Sequence, residues 1–117
     1  MSQPEGDGYW KEAHLQADAR KLLELVGWTV TDTSVRRSGP GRGGFTVQPG
    51  IPDQYLQHTT HGHRVWVEYK LPGGKPRPEQ VEWHEAERLA GGAVYVVQQL
   101  QDVADLCYLY GIPMELE

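Results

Sequence analysis

The sequence predicts an α/β chain in the broad sense: a mixed α+β sheet with helices packed on it, in the order α-β-β-β-α-β-α. Three observations carry this. Apolar residues recur at helical spacing near the N-terminus, at Leu15, Ala19, Leu22, Leu23 and Val26. β-Branched and aromatic runs broken by Gly and Pro turns follow. A helix-patterned stretch at 78–90 then separates two apolar runs, which makes a βαβ crossover with the last strand parallel to its partner.

Taken in order, residues 1–8 are polar and expected to be disordered, and 9–117 form a single domain. The first helix spans about Trp10 to Val26 and closes at Gly27. Residues 28–37 read as a strand, and Ser38–Gly44 as a loop rich in turn formers. Phe45 to Gln57 gives a strand, a turn at Pro49-Gly50 and a second strand carrying Asp53. His58–His63 makes a hairpin loop, and Arg64 to Leu71 the next strand. Pro78 suits the first turn of a helix whose buried face is Trp83, Ala86, Leu89 and Ala90. Ala93 to Val97 is a short apolar strand, and Val103, Leu106, Cys107 and Tyr110 define a last helix.

With 117 residues and 38% hydrophobic content, the chain supports one core. The lone Cys107 leaves no internal disulfide, as in a reducing compartment. No apolar run has transmembrane length, and the N-terminus is too polar for a signal peptide. A cytoplasmic protein of a bacterial or phage-infected cell, without a membrane partner, is therefore expected.

The net charge of −5 hides an uneven distribution. Residues 28–78 carry seven basic and three acidic groups, whereas 79–117 carry one basic and eight acidic. Two of the three acids in the basic segment are Asp53 and Glu68. Arg36, Arg37, Arg42, Arg64, Lys75 and Arg77 surround them in sequence, a footprint suited to phosphate binding. The competing reading is a solvated surface whose charges happen to cluster.

The chemistry-bearing residues lie in two segments, Gly50-Ile51-Pro52-Asp53 and Val65-Trp66-Val67-Glu68-Tyr69-Lys70. In a strand, Glu68 and Lys70 project together with Trp66, while Val67 and Tyr69 point the other way. An acid and a base within an apolar strand are costly unless paired or bound to a cation. Two carboxylates from adjacent strands suit Mg²⁺, and the lysine can hold a water or a phosphate oxygen. His58, His61 and His63 invite a zinc reading, but a fourth ligand is missing and the segment reads mainly as an exposed turn.

Pro52-Asp53, a gap, then Glu68-Tyr69-Lys70 resembles the PD-(D/E)XK nuclease signature. With Glu12-Ala13-His14-Leu15-Gln16 ahead of it and Gln80-Val81-Glu82-Trp83 behind, the order is similar to the VRR-NUC branch, the virus-type replication-repair nuclease domain, over roughly residues 10–110. The resemblance implies a restriction-endonuclease-like αβββαβ core with a C-terminal helix. It implies a metal-dependent DNA endonuclease using Mg²⁺ or Mn²⁺, held by Asp53, Glu68 and the carbonyl of Tyr69. Lys70 would orient or deprotonate the attacking water, and Glu12 would bind a second metal directly or through water. Gln80 would reach a water or a phosphate, and Arg36, Arg37, Arg42, Lys75 and Arg77 would contact DNA. Small stand-alone members look like dimers acting on branched DNA such as four-way junctions, so a homodimer is expected, with Tyr9, Trp10, Tyr108 and Tyr110 available for its interface.

Other readings remain open at this level. Glu12 could snorkel to solvent, and Gln80 could be a surface residue. The whole could be a catalytically idle DNA-binding module, or an interaction protein whose Glu68–Lys70 pair is a surface salt bridge.

Overall fold

The structure, a computed structural model, describes residues 8–33 and 49–116. Its elements are α1 (Glu12–Leu25), β1 (Thr29–Asp32), β2 (Gln54–His58), β3 (His63–Tyr69), α2 (Pro78–Leu89), β4 (Val94–Val97) and α3 (Leu100–Leu109). Among the described residues this is the expected α-β-β-β-α-β-α order. The expected disorder of residues 1–7, the strand residues 34–37, the loop Ser38–Gly44 and the segment Phe45–Gln48 lie outside the described residues.

The strands form one mixed sheet in the order β1-β2-β3-β4. β3 runs antiparallel to β2 and parallel to β4, as the crossover through α2 predicts. β3 is thus flanked on both sides, and its two faces meet different helices. One face presents Val65, Val67 and Tyr69, packed with Leu15, Ala19 and Leu23 of α1 and Val103, Leu106 and Cys107 of α3 in a single apolar cluster. Each helix contributes a stripe at i, i+3/i+4 spacing, and burying that stripe is what makes the helix stable in this context. The other face presents Trp66, Glu68 and Lys70 beneath α2, where Trp66 packs edge-on against Trp83 at 4.9 Å.

Three expectations are corrected. Asp53 lies on the bend before β2 rather than within a strand. The N–H of Tyr69 goes to the Asp53 carboxylate at 2.8 Å instead of to a ladder carbonyl, and Pro52 has no N–H to extend the pairing. The buried face of α2 also holds only one of its expected residues: Trp83 is half-buried against Trp66, with Gln80 and His84 buried beside it, while Ala86, Ala90 and Leu89 are exposed, Leu89 by 90%. α2 covers the polar face of β3, so its polar stripe turns inward. Finally, the histidine segment is not simply an exposed turn. His58 ends β2, is buried, and its Nε2 lies 2.8 Å from the carbonyl of Val26. His63 opens β3 half-buried, and His61 alone of the three is exposed.

Candidate active site

The site is built at the C-terminal end of β3. Continuing the β2–β3 register one step beyond Gln54↔Val67 sets Asp53 opposite Glu68. Asp53 is held in three ways: its side chain accepts from Tyr69 N–H, its carbonyl accepts from Thr33 N–H at 2.9 Å, and Thr33 Oγ1 donates to the preceding Pro52 carbonyl.

Gly50 makes this turn possible. Its φ is +85°, and a Cβ there would lie 2.1 Å from the Glu79 carbonyl oxygen in the first turn of α2. The backbone of the Gly-Ile-Pro-Asp segment therefore touches the helix turn that carries Gln80.

Glu68 is only 1% exposed. Its Oε2 accepts from Gln80 Nε2 at 2.9 Å and lies 3.9 Å from Lys70 Nζ. Gln80 cannot be reversed without loss, because its Oε1 accepts the N–H of Arg77 at 2.7 Å and so closes the start of α2. Among the described residues Glu68 Oε1 has no hydrogen-bond partner, and it faces the Nε2 of buried His84, which has none either, across 3.8 Å. Burial, then the adjacent Asp53 carboxylate, hold Glu68 up to about 8, against the opposing pull of Lys70; Glu12 adds a further push upward. Burial, then the charges of Arg88 and Lys70, hold His84 below its usual value.

A second polar chain supports the site from the apolar side of the sheet. Asp32 accepts from Gln16 at 3.0 Å, from Gln54 at 2.9 Å and from Arg20. Burial pushes the Asp32 carboxyl up, but the donors Gln54, Gln16 and Arg20 outweigh it and hold the group below the usual carboxylate range. Fully buried Gln54 accepts the Tyr69 hydroxyl at 2.6 Å, and burial with Asp53 and Asp32 nearby pushes the phenol above its ordinary range, so it stays a donor. Tyr69 is thereby fixed at both ends: its hydroxyl by Gln54, its N–H by Asp53.

Of the expected residues, Asp53, Glu68, Lys70 and Gln80 come together. Glu12 is exposed on the first turn of α1, on the stripe of Leu15, close enough for its charge to act on Glu68. Lys75 and Arg77 are exposed in the loop before α2, where Arg77 pairs with Glu79 at 3.1 Å. Arg36, Arg37 and Arg42 lie outside the described residues. Sequence reasoning passed over His84 and Gln54. Both carried a signal: His84 follows Gln80 by one helical turn, and Gln54 has the alternation of a core position in β2.

The donor set fits a hard divalent cation. Two carboxylates adjoin, and one buried oxygen has no hydrogen-bond donor among the described residues, a costly state that a cation would relieve. Among the described residues no group of three or more His, Cys, Asp or Glu side chains could hold a metal ion by themselves. Mg²⁺ commonly completes such a shell with water and substrate oxygens.

No protein-family model and no curated protein matches the chain. A solved structure described as "VRR_NUC domain" is similar to it at 30% identity, with a TM-score of 0.65, over 85% of this chain and 96% of that one.

Proposed function

Because the chain belongs to the VRR-NUC domain family, we propose that it is a Mg²⁺- or Mn²⁺-dependent nuclease that hydrolyses DNA phosphodiester bonds, selective for branched DNA such as four-way junctions. The observation that carries this reading is the meeting of Asp53, Lys70 and Gln80 at the buried Glu68 carboxylate, where Oε2 is engaged by Gln80 and Lys70 and Oε1 has no hydrogen-bond partner among the described residues. Asp53 and Glu68 would hold the ion, with the Tyr69 carbonyl beside them. Glu12, at the rim, would serve a second ion directly or through water. A bound divalent ion supplies Lewis-acid charge and makes water a nucleophile at neutral pH.

The protein's own residues do the rest. Gln80 fixes the Glu68 carboxylate through Oε2. Lys70 brings positive charge to the same oxygen and would orient the attacking water or, in its neutral form, take the water's proton. Tyr69 N–H holds Asp53 in register with Glu68. Lys75 and Arg77, with Arg36, Arg37 and Arg42, would follow the phosphate backbone. Symmetric cleavage of two strands needs two sites related by a twofold axis, so a homodimer is part of the proposal. Exposed Trp10 and Tyr108 are available for its interface, whereas Tyr9 and Tyr110 pack against the monomer core.

The test is cleavage of labelled single strands, duplexes, flaps and four-way junctions in EDTA, Mg²⁺ and Mn²⁺, with Lys70→Ala as control. Metal-dependent cleavage of branched substrates that Lys70→Ala loses is the expected result. Full activity in EDTA would overturn the mechanism. DNA binding without cleavage under any condition would make the chain an idle binding module.

A further inference from the structure

We propose that His84 is a positioning residue of the cation site, donating from Nε2 to Oε1 of Glu68 so that α2 clamps both oxygens of that carboxylate. The inference rests on the proposed metal-dependent reading and extends it to a residue outside the Asp-Glu-Lys-Gln set. Gln80 and His84 are one helical turn apart and share a face of α2. Gln80 already holds Oε2 at 2.9 Å, and its amide orientation is fixed by Arg77 N–H. The other oxygen and His84 Nε2 are both buried, both without a hydrogen-bond partner among the described residues, and 3.8 Å apart.

Two orphaned groups of matching chemistry facing each other are informative. Each unsatisfied group costs free energy when buried, and one contact removes both penalties. Hydrogen bonds of this type close at roughly 2.7–3.2 Å, so a small side-chain adjustment completes it. Nε2 carries a proton in the imidazolium and in one neutral tautomer, so the contact requires no change of charge. A carboxylate offers roughly four lone-pair sites, and donors at Gln80 and His84 still leave one on each oxygen for a cation. Partners of this kind fix the ligand before the ion arrives, and losing one typically weakens metal binding roughly 10–100-fold.

The experiment is Mn²⁺ binding to the full chain, followed by electron paramagnetic resonance and calorimetry. It compares wild type, Glu68→Gln, His84→Leu, His84→Phe and His84→Gln, with each variant's thermal stability measured in EDTA. Wild type should bind Mn²⁺ and Glu68→Gln should not. His84→Leu and His84→Phe, which fill the space without a donor, should remain folded and bind roughly 10–100-fold more weakly. His84→Gln, which restores an N–H at similar reach, should recover most of the affinity, a rescue that a packing role would not produce. Wild-type affinity in His84→Leu, alongside lost binding in Glu68→Gln, overturns the role of His84 and leaves the metal site intact. Binding that Glu68→Gln does not change overturns both. Direct nitrogen coordination in the wild-type spectrum, or failure of both donor-less variants to fold, also overturns the positioning role.

Discussion

α1 and α2 flank the same central strand and bury opposite kinds of surface. α1 turns in Leu15, Ala19 and Leu23, against Val65, Val67 and Tyr69 of β3. α2 turns in Gln80 and His84, against Glu68, and leaves Leu89 90% exposed. The first contact is repaid by removing apolar area from water. The second is repaid in this way only at Trp83, which packs on Trp66; beside it a carboxylate is buried against another carboxylate, with an oxygen that has no hydrogen-bond partner among the described residues. A helix that gives up its apolar side to cover charged groups stores instability at that point, and such sites belong to function rather than to folding. The difference is testable from either helix.

The largest expected effect is on the α2 side and concerns activity. Asp53→Asn and Glu68→Gln should each lower the cleavage rate by at least roughly 10²-fold, a loss comparable to removing one preorganised catalytic contact, with the fold intact by circular dichroism. A rate within a few-fold of wild type would detach these carboxylates from the chemistry. On the α1 side the effect is on stability. Leu23→Ala should cost about 2–5 kcal/mol in urea unfolding, whereas Leu89→Ala should stay within about 0.5 kcal/mol. Similar costs for both would mean that α2 buries its apolar face after all.

Gly50→Ala joins the two effects. The positive φ and the collision with the Glu79 carbonyl should cost about 1–3 kcal/mol, and by displacing the first turn of α2 should also weaken cleavage. Lost stability with unchanged activity would show that the Gln80 contact survives the displacement. The smallest effect concerns DNA. Replacing Lys75 and Arg77 together should weaken binding equally across sequences and lower the salt slope by roughly 1 per lost contact. An unchanged slope would put the DNA elsewhere.

The sheet and its flanking helices were legible in the sequence because their signals are local. The stripe of Leu15, Ala19 and Leu23 has helical period, and the alternation in β3 separates Val67 and Tyr69 from Glu68 and Lys70. The facing of α2 was not legible. Trp83, Ala86 and Leu89 make a plausible apolar stripe, but only Trp83 turns inward, onto Trp66; Gln80 and His84 are buried beside it because the surface α2 covers is set by β3 rather than by α2. His58 escaped for a similar reason. It looks like part of a polar turn, but its ring sits over Gly27, where a Cβ would come within 2.7 Å of Nε2, and that closeness joins segments far apart in sequence. Asp53, Glu68, Lys70 and Gln80 were readable from spacing and family resemblance together. The Asp32–Gln54–Tyr69 chain, with no motif to mark it, needed the strand register.

The central claim is that the α2 side of the sheet holds instability that a divalent cation relieves. Thermal unfolding of wild type and Glu68→Gln across pH, in EDTA and in Mn²⁺, tests it most directly. Folded Glu68 is held up to about 8, against 4.5 for an ordinary glutamate. Between those values the folded state binds more protons than the unfolded one, so metal-free stability should fall as pH rises from about 5 to about 8. Glu68→Gln should flatten that fall and melt at or above wild type in EDTA at pH 8. Mn²⁺ should raise the wild-type midpoint, most at high pH where protons no longer compete, and leave Glu68→Gln unmoved. A Glu68→Gln protein that melts below wild type in EDTA, with Mn²⁺ shifting both alike, would contradict the account.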